Sequence, residues 1–361
     1  MERLDATIHL SFAFDIGFEI DLDRARALLP AGAGLLPRRR RTPESIQYRP
    51  APLRTAIDAT GLSLPGVATP AAPVPRADLT VFDFGAIVLA AQFPVRMTAG
   101  ELTDVAAALS DMRPLSSAAR RIVTPWIDRI HPAVYGFEVS DLAEEYIVFQ
   151  MNDVRTGWLE EQAAWIAGLV RLDAGPLSRD EIAEATRLSL SYTPDDLVTL
   201  DWAAGFVADR DCADTLQVIE FANVQLLEFR HIDNRLDDRL EAAYRLIRPP
   251  ARRPWSLAAW HPQSAAVRSV RELEIEATSL FERADNNLKL IGDQYLARVF
   301  EMASARFHLR DWEQNIRRKL DTVGDVFDLL IQQAGSTRTE VLEIVVILLI
   351  ATEIILALWR H

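Results

Sequence analysis

At 361 residues, with 49% hydrophobic and 25% charged side chains, the chain has the balance of a folded globular protein and room for two domains, which excludes a disordered or wholly membrane-embedded class. A formal net charge of -13 excludes wholesale wrapping of nucleic acid, DNA included, because phosphate neutralisation needs a positive surface. Cys212 is the only cysteine, so an intrachain disulfide and a thiolate metal cluster are excluded as well.

Residues 5–14 alternate apolar and polar side chains and predict a strand, and Asp21 is placed to cap a helix over 22–29. The early acids Glu2, Asp5, Asp15 and Glu19 leave no basic start followed by an unbroken apolar core, so no cleaved secretory signal is expected. Between Pro30 and Pro75 nine prolines together with Gly32, Gly34, Gly61 and Gly66 predict loop with at most short strands, such as 45–48. The basic run Arg38 to Arg41 inside it reads as a solvated loop or a contact with anionic lipid heads rather than RNA.

Residues 79–93 are rich in β-branched and aromatic side chains and predict one strand, bent or bulged at Gly85. Thr98 with Glu101 forms a capping box for a helix through about 109; a second helix is expected over 117–130, interrupted near Pro125, and a strand over 145–150. A helix over 158–170 follows, then a Ser178–Glu181 capping box for a helix ending near 190, and a last strand over 197–208. From about Ala213 the pattern turns helical: Leu216, Ile219, Val224, Leu227, Ile232, Leu236, Leu240 and Tyr244 recur at helical spacing.

Pro249, Pro250, Pro254 and Pro262 predict a hinge before a second long helix over 265–307, and a third helix starts near Asp311. The spacing suits a helical hairpin within one chain or a coiled coil between chains. The expected class is therefore α+β, divided into 1–75 (strand, helix and Pro-rich loop), 76–210 (an α/β sandwich-like domain), 211–335 (long helices) and 338–360 (a transmembrane helix).

That last element rests on residues 341–359, which would span about 28 Å as a helix. Thirteen Val, Ile and Leu side chains contribute roughly -4 to -8 kcal/mol on an insertion scale, against about 3 for a central acid, so insertion is expected with the bulk of the chain in the cytoplasm. Glu343, Val346, Ile350, Glu353 and Ala357 share one stripe, expected to be a helix–helix seam of a homo-oligomer with Glu353 protonated or hydrogen-bonded to its partner.

Motifs for chemistry are sparse. His9, His131, His231, His261, His308 and His361 are scattered, and Asp209, Asp211 and Asp214 read as acids complementing a helix start, so no metal site is expected. Gly32 and Gly34 meet Pro37 where a third phosphate-loop glycine is needed, and no GxSxG elbow occurs, so neither a cofactor nor a catalytic residue is nominated. Arg in place of Lys, with abundant Ala, suggests a GC-rich bacterial source.

Residues 82–85 (FDFG), 218–233 (VIEFANVQLLEFRHID), 283–299 (RADNNLKLIGDQYLARV) and the tail 342–354 (LEIVVILLIATEI) resemble the YagE domain-of-unknown-function family, whose eukaryotic relatives are the "required for meiotic nuclear division" proteins. The resemblance runs from about 79 to the end and implies a C-terminally membrane-anchored protein, with a mitochondrial relative that supports translation at the inner membrane and a fungal one needed for sporulation. Glu220, Gln225, Glu228, Arg230, Asn287 and Asp293 match its polar positions, where salt bridges and buried polar links are the expected role. The expected function is a membrane-tethered oligomeric scaffold presenting an α/β domain to a cytoplasmic partner. The alternatives are an enzyme or nucleotide-binding protein with a site between the α/β domain and the helices, and a factor that contacts the ribosome.

Overall fold

The computed structural model describes residues 3–30, 34–35, 50–67, 76–152, 158–209, 211–247, 275, 277–279, 281 and 293–325. The chain divides into two compact units, residues 1–231 with 280–313 and residues 232–279 with 314–361.

The first unit is built on β1 (Leu4–Asp15), whose alternate residues Ile8, Leu10, Phe12 and Phe14 are all fully buried on one face. Next come β2 (Glu19–Ile20) and α1 (Leu22–Leu28), which starts where expected because the Asp21 carboxylate accepts a hydrogen bond from Arg24 N. The Pro-rich region contributes β3 (Gly34–Leu35) and β4 (Leu53–Ile57). The stretch read as one bent strand is a hairpin, β5 (Arg76–Val81) and β6 (Ala86–Met97). Gly85 turns the chain at φ +96°, and a Cβ there would lie 1.6 Å from Gly17 O, so the glycine reverses the backbone instead of kinking it.

Thr98 opens α2 (Ala99–Ala108) with both halves of its capping box formed. In α3 (Arg113–Ile130) the expected interruption at Pro125 is absent: Leu115, Ala119, Val123, Ile127 and Ile130 bury one stripe, which outweighs the roughly 3 kcal/mol that an interior proline costs. β7 (Val134–Tyr135) pairs with β2, and β8 (Ala143–Met151) returns to the main sheet. After α4 (Trp158–Arg171), α5 (Arg179–Ala185) stops short of its expected end and Ser189 and Leu190 form edge strand β9 (Ser189–Leu190). The predicted last strand is two, β10 (Leu197–Leu200) and β11 (Ala204–Ala208), with Asp201 N bonded to Ala204 O at 2.9 Å across the turn.

The sheet has nine strands in the order β3-β4-β5-β6-β1-β8-β11-β10-β9, antiparallel except where β11 runs parallel to β8. One face, including Phe93 of β6, Phe149 of β8 and Phe206 of β11, packs on Val105 of α2, Val123 of α3 and Ile166 of α4. The opposite face is covered by the start of α6 (Ala213–Ile247) and by α7 (Gln294–Arg306). There Asn223 Nδ2 donates to Glu144 O at 3.4 Å, and Tyr146 meets Phe307 edge-on at 5.2 Å between ring centroids. The long helix expected over 265–307 does not run through: Asp293 is extended (φ -94°, ψ 126°) and caps a new helix. A further helix, 309–325, follows His308.

Within the second unit, Lys319 Nζ lies 2.8 Å from Asp233 and 2.7 Å from Asp237, and Asn315 Nδ2 donates to Asp233 at 3.1 Å. Ile232, Leu236, Ile316 and Val323 are buried beneath these polar links.

The fold is thus α+β with a large mixed sheet and C-terminal helices, and the membrane expectation is corrected. Among the described residues no helix is long and apolar enough to cross a membrane. The long ones are amphipathic, as α6 shows by alternating buried Leu227 and Ile232 with charged Arg230 and Asp237. The single-pass, tail-anchored reading therefore has no support in the described structure. Residues 341–359, with Glu343, Val346, Ile350, Glu353 and Ala357, lie outside the described residues, as do Asn287, strand 45–48, the Arg38 to Arg41 run and the proline hinge.

Candidate functional site

The α6–α7 side of the sheet carries the buried polar chemistry. Asp201, at the β10–β11 turn, is held between two guanidinium groups: Arg171 Nε at 3.0 Å and Arg306 Nη1 at 3.3 Å. Arg306 also donates from Nε to Leu200 O at 3.2 Å and from Nη2 to Glu184 O at 3.1 Å. Burial raises the Asp201 carboxyl above its ordinary value despite both cations. Arg171 Nε meets Asp201 Oδ2 as an ion pair without hydrogen-bond geometry, whereas Arg306 bonds to a carbonyl or pairs with a carboxylate through each of its three nitrogens, so this network fastens α7 to the sheet.

Beside it opens a groove of about 540 Å³, walled by α6, α7 and the start of helix 309–325. Its floor is buried and largely apolar, from Phe229, Phe300 and Leu309. Gln225 lines it too, 3% exposed, with its Nε2 enclosed and without a hydrogen-bond partner. Such groups are uncommon in folded proteins, because a buried unpaired amide costs about 1–3 kcal/mol.

The rim is polar and negative: Glu301, Asp311 and Glu313 against Arg310. His308 shapes it, adopting φ +53° at the C-terminus of α7, a conformation usually left to glycine. Its ring is held 2.9 Å from Asp311 and 6.1 Å from the half-exposed Trp202. A volume of this size falls in the range of about 300–1,000 Å³ typical of small-molecule sites.

Of the six polar positions selected from the sequence, the five that are described do not converge. Gln225 lines the groove, whereas Glu220 lines a separate, smaller cleft, its carboxylate 3.8 Å from Arg54. Glu228 is buried in α6. Arg230 pairs with Glu144, whose carboxyl burial pushes up to about 7 against the pull of Arg230. Asp293 accepts from Tyr295 N at 2.7 Å and Leu296 N at 3.2 Å, a helix cap. Asp209 Oδ1 accepts from Asp211 N at 2.9 Å, and no group of three or more potential metal ligands occurs among the described residues.

A family model described as the N-terminal domain of uncharacterized protein MJ0711 matches residues 5–215. The chain belongs to this family. Uncharacterized protein MJ0711 of the archaeon Methanocaldococcus jannaschii is 25% identical over 226 residues, which cover 62% of this chain and 68% of that protein. No solved structure matches. The MJ0711 family replaces the YagE resemblance, and the bacterial assignment that went with it is unsupported, since the relative found is archaeal. The family match begins at β1, the central strand of the sheet, ahead of residue 79, where the YagE resemblance starts. It ends in the first turn of α6, so the groove lies beyond it.

Sequence reasoning missed Phe229, Phe300 and His308 as groove residues. The two phenylalanines sit on apolar helix stripes indistinguishable from core, and a left-handed histidine has no sequence signature.

Proposed function

We propose that this protein binds a small organic molecule with an apolar body in the groove between α6, α7 and the His308 turn. One observation carries the reading: the buried Gln225 Nε2, without a hydrogen-bond partner, beside an apolar floor in a cavity of about 540 Å³. An apolar ligand body would cover Phe229, Phe300 and Leu309, while a carbonyl on it would give the Gln225 amide an acceptor after a small side-chain rotation. The acidic rim disfavours anionic ligands.

The test uses the neutral dye Nile red with the full chain. Saturable fluorescence enhancement is expected, lost in Ser304→Trp, which fills the groove from the half-buried face of α7, and weakened about tenfold in Gln225→Leu. Unchanged binding in Ser304→Trp, with a native circular dichroism spectrum, would remove the proposal.

A second reading, the oligomeric scaffold without its membrane tether, draws support from Tyr135, Phe137 and Val139, which at alternate positions are 56%, 39% and 39% exposed. On this reading sedimentation gives a mass above that of the monomer, and Tyr135→Ser with Phe137→Ser lowers it. A monomeric mass at every concentration would dismiss it.

A further inference from the structure

A second, separate cleft lies under the N-terminal turns of α6, where the open face of the sheet is hollow. Pairing sets Asp78 of β5, Ala90 of β6, Ser11 of β1 and Tyr146 of β8 side by side across four strands. The small Ala90 leaves a gap in this row, and Ala213 does the same in the helix above, so a cavity of about 100 Å³ remains. Since a 150 Å³ cavity admits benzene, this one has room for about four heavy atoms.

Its charges do not balance. Arg54 faces Glu220 at 3.8 Å and donates from Nε to Thr80 Oγ1 at 3.3 Å. Asp78 is the second carboxylate in the lining, and no second Lys or Arg lines the cleft among the described residues. His9 is tied to Gln150 Oε1 at 2.7 Å, and burial lowers its pKa, so it is neutral at pH 7. Burial raises the Glu220 carboxyl against the pull of Arg54, and Asp78 adds to the rise. Ser11 Oγ is enclosed in the same hollow without a hydrogen-bond partner.

We propose that this cleft binds a primary alkylammonium ion of up to about four heavy atoms, with its charge against Asp78 and Glu220 and one N–H donated to Ser11 Oγ. The site is independent of the groove and of the function assigned to it.

The full chain is titrated by calorimetry and thermal unfolding with methylammonium, ethylammonium and propylammonium chloride at constant ionic strength. Saturable binding and a rise in Tm are expected for these three, and none for hexylammonium, neutral acetamide, acetate or NaCl. Glu220→Gln and Asp78→Asn each weaken binding tenfold or more, and Ala90→Val, which fills the hollow without touching charge, does likewise. Should one of these variants fail to fold, the other two still decide. Absence of saturable binding by any of the three amines overturns the proposal. So does equal binding by acetate, which would make Arg54 the recognising group, or unchanged affinity in the folded variants.

Discussion

Glu144 illustrates how one residue can set a solution property of the whole protein. Its side chain is 9% exposed, in the β8 row beneath α6, and desolvation lifts its carboxyl to about 7 although Arg230 contacts it. The folded state therefore holds this proton more tightly than the unfolded chain, so its contribution to stability is full below the ordinary carboxyl range and is lost as pH rises through about 7. Urea unfolding at pH 5 and pH 7.5 should show stability falling by about 2–3 kcal/mol across that interval, and Glu144→Gln should flatten the slope. Neither the burial nor the pairing was legible in the sequence, where Glu144 and Glu145 are adjacent acids; the pleat alone turns the first toward α6 and the second away.

Among the elements, α1 and α2, whose caps are written locally, were read correctly. Asp21 and Thr98 satisfy orphan helix N–H groups within their own three or four residues, so their helices were placed from sequence alone. Asp293 belongs to the same class, although the sequence pattern ran a helix straight through it. With the cap bonding two backbone N–H groups, Asp293→Ala should cost about 1 kcal/mol in chemical denaturation, without affecting Nile red binding at saturating dye. The hairpins at Gly85 and Asp201 were missed because each joins two apolar runs, and periodicity does not separate one long strand from two short ones.

For the molecule as a whole, the family boundary and the folding boundary differ. The match ends at 215, yet the unit around the sheet takes in residues 280–313. A chain ending at Ile247 would lack α7, uncover Tyr146 and leave Asp201 without Arg306. It should lose cooperative thermal unfolding and bind 1-anilinonaphthalene-8-sulfonate, because breaking a buried ion pair from one side costs about 3–5 kcal/mol and the sheet face is apolar. Two-state unfolding at the full-chain Tm would contradict this.

By itself the sequence determined the α+β class, the caps of α1 and α2, the start of the 35-residue α6 and the exclusion of an intrachain disulfide, since each depends on residue type and near-neighbour spacing. Tertiary structure alone decided that β1 is central, that Gln225 and Glu220 serve different cavities and that Asp78 and Glu220 share one. Cavities are set by which small residues meet across strands and helices far apart in the chain, and a linear pattern holds no record of that meeting.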